Sequence, residues 1–181
     1  MTVTEGLEAA GPAPSDGDGV DPFNVRLARR AGGILRDFNL AGVLSAADVH
    51  VALRLARLGG DEGDEGFLLA AALAVRAPRL GHVCVDLASI AGTVAVDADV
   101  ALDTAVLAWP EPRLWLEGLA ASPLVAGEEG GDHRAHGESR PLRLAGTRLY
   151  LDRYWREECQ VATDLRDRSE GGAAGVDMAV L

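Results

Sequence analysis

Two histidines in the polar stretch of residues 127–140 have the spacing of a metal-binding pair. His133 and His136 stand three residues apart, with Asp132 and Glu138 close by. Such a pair binds zinc when a helix places both side chains on one face and further ligands complete the site. This stretch is rich in glycine, which predicts a loop. A solvated loop is therefore the favoured interpretation, and we expect no metal site on this chain.

Cysteine chemistry has a similarly weak basis. Cys84 and His82 are two residues apart, so a strand would place both side chains on one face. A cysteine nucleophile also needs an oriented base and an oxyanion site, and no third group is evident. A buried structural cysteine is favoured. Cys84 and Cys159 form no metal spacing and no disulfide framework, which indicates a reduced, cytoplasmic protein.

Arginine and tryptophan side chains raise the alternative of nucleic-acid binding. The candidates for phosphate contacts are Arg26, Arg29, Arg30, Arg148, Arg153 and Arg156, and the candidates for base stacking are Trp109, Trp115 and Trp155. The formal net charge of −11 argues against a protein that holds nucleic acid by bulk charge. Solvated or interface arginines, and tryptophans that anchor a core or an interface, are the favoured interpretation.

No nucleotide-binding motif is present. All 17 basic residues are arginine, so the lysine of a phosphate-binding loop is missing. We also find no GxGxxG motif and no arrangement of paired carboxylates or of Ser, His and Asp. The chain taken alone is therefore not predicted to be an enzyme, and no catalytic, cofactor-binding or metal-binding residue is assigned.

The length of 181 residues and the hydrophobic content of 48% predict one domain with a packed core. Residues 1–20 are predicted to be a disordered tail, residues 21–168 the domain, and residues 169–181 a flexible C-terminal tail. The N-terminus does not have the pattern of a signal peptide. The longest apolar run, residues 67–75, falls short of the roughly 20 residues that span a bilayer, so we expect no membrane segment.

Periodicity and capping signals predict a mainly α fold of about four to five helices with a small antiparallel hairpin or three-stranded element. A loop containing Gly146 between two alternating runs indicates the hairpin, and Asp152 stands at the N-cap position of the helix that follows. Helices are predicted at residues 22–38, 45–58, 65–77, 113–121 and 153–165, and strands at residues 81–87, 142–144 and 148–151, with a possible further strand at 124–125.

Three segments together resemble a known family. They are LSAADVHVALRLARL (residues 44–58), FLLAAALAVRAPRLGHVCVDL (67–87) and PLRLAGTRLYLDRYWREE (141–158). In this order and spacing they resemble the N-terminal domain of RecD, the alpha subunit of the exodeoxyribonuclease V (RecBCD) complex of DNA repair and recombination. The resemblance implies a mainly helical domain that precedes two motor domains and helps to seat the subunit against RecC-like and RecB-like partners. It also implies that ATP and Mg²⁺ serve 5′→3′ DNA unwinding in the motor, which this chain lacks.

The function expected from this resemblance is a non-catalytic assembly domain of a truncated RecD-type subunit. Its expected contact residues are Tyr150, Arg153, Tyr154 and Trp155. Trp155 has two possible environments, burial within this domain or burial against the missing motor. The alternative function is a free-standing adaptor that binds DNA ends or a repair protein without ATP.

Overall fold

A computed structural model describes residues 25–60, 62–96, 104–127 and 140–170, and this part of the chain forms six helices and one small sheet. The helices are α1 (Gly33–Leu40), α2 (Ala46–Gly59), α3 (Glu65–Arg79), α4 (Ile90–Thr93), α5 (Pro112–Ala121) and α6 (Asp152–Glu170), with a 3₁₀ turn at Thr104–Val106. The strands are β1 (Cys84–Asp86), β2 (Val125–Ala126), β3 (Leu142–Ala145) and β4 (Arg148–Leu151). The predicted mainly α class with a small β element is confirmed, and the sheet has four strands in the described part of the chain.

Helix α3 forms the centre of the core because its sequence is apolar nearly all round. Phe67, Leu69 and Leu73 are fully buried on it, and Ala52 and Ala56 of α2 are fully buried beside it. Small alanine side chains let the two helix backbones approach closely. The helix continues two residues past the predicted end, with Pro78 inside its last turn.

Helix α2 begins and ends as its sequence predicts. The Ser45 side chain accepts a hydrogen bond from the Asp48 amide, and Asp48 Oδ2 accepts one from the Ser45 amide at 2.8 Å. This reciprocal pair is the capping box. Asp48 Oδ2 also accepts from Arg79 Nη2 at 2.8 Å, which ties α2 to α3. Gly60 ends the helix in the left-handed conformation, with φ of 79°, as a C-terminal glycine commonly does.

The first helix differs from its prediction. Residues 25–32 form turns, and α1 begins only at Gly33 and extends to Leu40. Gly33 has φ of +50°, and the Glu65 side chain occupies the space that a Cβ at this position would need. The arginines predicted on one face of a long helix, Arg26, Arg29 and Arg30, therefore lie in turns.

The physical reason is a buried side chain that apolar periodicity does not reveal. Asn39 accepts a hydrogen bond from the Ala28 amide at 2.8 Å. Its amide group donates to the carbonyls of Arg26 at 2.9 Å and Leu44 at 2.8 Å. The bonds with Ala28 and Arg26 hold the 25–32 segment against α1 and satisfy backbone groups that a continuous helix would have used internally.

The sheet has the strand order β1-β4-β3-β2. β4 is antiparallel to both β1 and β3, while β2 is parallel to β3. Side chains alternate between its two faces. Val85, Leu149, Leu142 and Val125 belong to the buried core, and the opposite face is the outer face, from which α6 departs.

Several predictions fall on residues outside the described ranges. These are the tail of residues 1–20, the loop with His133 and His136, and residues 171–181. Ser169 and Glu170, predicted as the start of the tail, are the last two residues of α6. Among the described residues no helix is both long enough and apolar enough to cross a membrane.

Candidate functional site

A row of three side chains crosses the outer face of the sheet. Cys84 of β1 is the register partner of Tyr150 of β4, and Tyr150 is the partner of Arg143 of β3. Because neighbouring strands lie about 5 Å apart, such partners are in contact range. The hairpin formed by β3 and β4 thus carries an aromatic ring and a guanidinium side by side, directly before α6 begins.

Asp152, the first residue of α6, joins the helix to this row. Its Oδ1 accepts hydrogen bonds from Nε and Nη2 of Arg143, both at 3.1 Å. The two side chains are 11% and 7% exposed for Arg143 and Asp152, respectively. Asp152 Oδ2 pairs with Arg156 Nη2 at 2.6 Å, and the Asp152 amide donates to the Pro141 carbonyl at 2.9 Å. The carboxylate therefore fixes where α6 leaves the sheet.

The aromatic rings pack beside this ion pair. Trp155 meets Tyr150 edge to face, with ring centroids 5.0 Å apart, and the Arg143 guanidinium lies 5.9 Å from the centroid of the Trp155 ring. Both geometries are favourable for aromatic side chains. Tyr150 is buried, whereas Trp155 is half-buried. Trp155 thus packs on its own sheet and keeps part of its surface exposed.

Burial and then a hydrogen bond with the Cys84 side chain raise the pKa of Tyr150 above its usual value. Burial acts this way because it penalises the charged phenolate. Cys84, predicted to be buried, is half-buried. His82 precedes β1 and shares with Cys84 the wall of a cavity of about 270 Å³, together with Arg76 and Asp86. The strand position predicted for His82 is wrong, since β1 begins at Cys84.

Arg153 and Tyr154 lie on the first turn of α6. Arg153 Nε pairs with Glu157 Oε1 at 3.0 Å, and its guanidinium lies 5.5 Å from the Tyr154 ring centroid. The hydrogen bond and charge of Glu157 raise the pKa of Arg153. Arg153 is exposed and Tyr154 half-buried. Of the four predicted contact residues, Arg153 and Tyr154 contact each other and are partly accessible, whereas half-buried Trp155 packs separately against buried Tyr150. Their role in binding stays a prediction.

The sequence interpretation missed the contribution of Arg143. A signal for it exists: Leu142 and Leu144 flank Arg143 on a short strand, which directs the arginine to the face opposite the core. An acidic residue, Asp152, follows the hairpin. To predict that Arg143 pairs with Asp152, one must know the register of the hairpin, and the sequence indicates that register only through the length of the turn.

The other singled-out side chains lie elsewhere. Trp115 is buried and donates from Nε1 to the Gly66 carbonyl at 2.8 Å. Trp109 packs edge to face on Phe38 at 4.6 Å, so both tryptophans are core anchors, as favoured. His50 and Arg148 are exposed. The described residues include no group of three or more potential metal ligands.

Comparisons with known proteins add an independent finding. The family model for the N-terminal domain of RecBCD enzyme subunit RecD matches residues 40–150. RecBCD enzyme subunit RecD of Mycobacterium tuberculosis (strain ATCC 25618 / H37Rv) is 48% identical over 143 residues, which cover 78% of this chain and 21% of the relative. The same subunit of Mycolicibacterium smegmatis is 50% identical over 125 residues, which cover 69% of this chain and 19% of the relative. The chain thus spans about a fifth of the length of these curated relatives.

Proposed function

The chain belongs to the family of N-terminal domains of RecBCD enzyme subunit RecD, and we propose that it works as a non-catalytic assembly domain. In this proposal it recognises RecC-like or RecB-like subunits and takes no part in chemistry. ATP and Mg²⁺ would serve 5′→3′ DNA unwinding by the motor domains of the parent proteins, for which this chain has no phosphate-binding loop.

The observation that carries the proposal is the joint between the hairpin and α6. Asp152 and Arg143 form an ion pair that is nearly inaccessible to solvent, so the direction of the helix is fixed before any partner binds. A surface that is ordered in advance loses less entropy on binding. The first turn of α6 leaves Arg153 exposed in contact with half-buried Tyr154, and it leaves part of Trp155 exposed on another side of the helix. Tyr, Trp and Arg are the side chains most enriched at interface hot spots.

The charges of α6 favour a protein partner over nucleic acid. Arg153 pairs with Glu157, and Arg156 pairs with Asp152. The two guanidinium groups in the first turns of α6 are thus each offset by a neighbouring carboxylate, which would face the phosphates of any DNA bound there. Phosphate contacts usually rely on arginines and lysines that neutralise the backbone. This pairing supports an interface with a protein surface and counts against the adaptor that binds DNA ends.

Binding to purified RecC and RecB of Mycolicibacterium smegmatis tests the proposal. We expect the chain to bind one of them, and Tyr154→Ala to weaken binding at least about tenfold, the effect of a hot-spot truncation. Gln160→Ala, an exposed change on the opposite side of α6, is the matched control and should leave affinity unchanged. The proposal fails if neither subunit binds, or if both variants have the same effect.

A parallel titration with a labelled DNA end distinguishes the assembly domain from the alternative function, an adaptor that binds DNA ends. The assembly domain is expected to give no saturable DNA signal at low salt. An adaptor would give binding that weakens steeply as salt rises, because phosphate contacts release counterions. Saturable, salt-sensitive binding that Arg153→Ala reduces would favour the adaptor.

A further inference from the structure

Helix α6 extends far beyond the sheet that anchors it. Its 19 residues give a length of about 28 Å at 1.5 Å per residue. Asp152 is its buried residue. From Arg156 to Glu170 the side chains are exposed except for half-buried Cys159 and Ala162. The match to the family model ends at residue 150, before this helix begins.

One side of the projecting helix is mostly apolar. A rotation of about 100° per residue brings nine residues onto this side, which we call the α6 stripe. They are Tyr154, Trp155, Glu158, Cys159, Val161, Ala162, Leu165, Arg166 and Ser169. Val161 is 56% and Leu165 59% exposed. A helix of this length has marginal stability in water unless its apolar side is packed. We therefore expect the α6 stripe to pack against another protein surface.

The two charged residues of the α6 stripe indicate which surface packs against it. Glu158 lies four residues before Ala162 and Arg166 four residues after it. In the described part of the chain neither side chain has an ion-pair partner. A second α6 that runs antiparallel, with a two-fold axis at Ala162, places Glu158 of each copy opposite Arg166 of the other. The stripe is therefore complementary to itself, as a two-fold interface requires.

We propose that the chain forms a homodimer through antiparallel pairing of α6 about Ala162. The small Ala162 side chains at the axis let the two helices approach closely. Trp155, seven residues before the axis, packs on its own sheet with part of its surface exposed. At this level the second copy contributes only the small side chain of Ser169, seven residues after the axis. A parallel pair would instead place Glu158 against Glu158 and Arg166 against Arg166, and like charges in contact oppose association.

The expected dimer is weak and depends on concentration. A single pair of helices belongs to the small end of protein interfaces, and exposed ion pairs contribute little affinity but select the orientation. The dimer is measured with this chain alone, without any RecC or RecB, so its failure is distinguishable from failure of the proposed assembly function. Because both proposals use Tyr154 and Trp155, dimer formation and binding of RecC or RecB are expected to compete.

Charge reversal tests the pairing. Sedimentation velocity over a roughly hundredfold range of protein concentration should show a monomer–dimer equilibrium. Glu158→Arg alone and Arg166→Glu alone should each raise the dimer dissociation constant at least about tenfold, because attraction becomes repulsion at two symmetric places. The double variant E158R/R166E should restore the original constant. A chain that stays monomeric throughout, or a double variant no better than the single ones, would overturn the proposal.

Disulfide trapping tests the position of the axis. In a background of Cys84→Ser and Cys159→Ser, Ala162→Cys should form an intermolecular disulfide in the presence of oxidised glutathione, which is reduced as the two thiols couple. A disulfide requires Cα atoms within about 7 Å of each other, which the proposed axis provides. Gln160→Cys, on the opposite side of the same helix, is the matched control and should form no disulfide between two copies of the chain, although glutathione can cap its exposed thiol. Equal trapping at both positions, or none at residue 162, would contradict the proposed axis.

Discussion

One carboxylate, Asp152, holds two cations in very different surroundings. Arg143 is 11% exposed in its side chain and Arg156 is 55% exposed, while Asp152 itself is 7% exposed. Breaking a buried ion pair by removing one partner is costly because the other charge stays desolvated. Exposed ion pairs contribute little because water and salt screen them. The two arginines therefore allow the effect of burial to be measured on a single acceptor.

We expect Arg143→Met to lower the free energy of unfolding by about 2–3 kcal/mol, because the Asp152 carboxylate loses its buried partner. Arg156→Met should lower it by less than about 1 kcal/mol. Urea denaturation followed by circular dichroism measures both. If the two variants lose the same stability, the hairpin–helix joint is not held by the buried pair.

Tyr150 is expected to make the free energy of unfolding depend on pH in the alkaline range. Its pKa is raised in the folded protein, first by burial and then by its hydrogen bond with Cys84. The folded state thus holds the phenol proton more tightly than the unfolded state, in which a tyrosine ionises near pH 10. The contribution of Tyr150 to stability should be constant below that pH and decline as pH rises through the folded pKa.

Ultraviolet absorbance of the phenolate can follow this titration directly, because the chain has only two tyrosines. In Tyr154→Phe the remaining signal belongs to Tyr150, and we expect its midpoint above that of the same variant unfolded in urea. Tyr150→Phe should remove the corresponding part of the alkaline loss of stability. Coincident midpoints in folded and unfolded protein would show that the ring is not in the buried environment described.

At the scale of elements, two helix glycines differ in what surrounds them. A Cβ added to Gly118, within α5, would lie in open space. A Cβ added to Gly59, at the end of α2, would collide with the Leu124 side chain. Gly118→Ala should raise the free energy of unfolding by about 0.5–1 kcal/mol, since alanine is the better helix former. Gly59→Ala should lower it, because Leu124 must move. Thermal unfolding of the two variants checks this, and a stabilising Gly59→Ala would contradict the described α2–Leu124 contact.

Elements defined by local signals could be predicted from the sequence, and elements defined by distant contacts could not. The capping box of Ser45 and Asp48 and the glycine turn of the hairpin rely on neighbours in sequence, and both are present. The start of the first helix is predicted wrongly because the bonds of Asn39 with Ala28 and Arg26 join residues more than ten positions apart, which apolar periodicity does not reveal. Of the candidate site, the aromatic group was predicted, whereas the Arg143–Asp152 pair depended on the hairpin register.

In the whole molecule, the sheet separates two parts with different tasks. Its inner face closes a core built on α3, and its outer face carries the joint from which α6 projects. The span matched by the family model, residues 40–150, includes the central core helices α2 and α3 and all of the sheet except the last residue of β4, but not α6. The core and the first turn of α6 are therefore expected to hold the domain together, and the projecting part of α6 is the part exposed for contacts between molecules.

Truncation within α6 should separate these two tasks. A chain ending at Glu157 keeps Asp152, Trp155 and Arg156, and loses helix residues of which only Cys159 and Ala162 are half-buried. We expect its free energy of unfolding at low concentration to change by less than about 1 kcal/mol, while the dimer inferred from the α6 stripe disappears from sedimentation.

A chain ending at Leu151 is the matched comparison. It leaves the Arg143 guanidinium without its carboxylate and uncovers Tyr150, so it should lose several times more stability, by about 3 kcal/mol or more. Equal losses in the two truncations would show that the projecting part of α6 stabilises the monomer, contrary to the separation argued here.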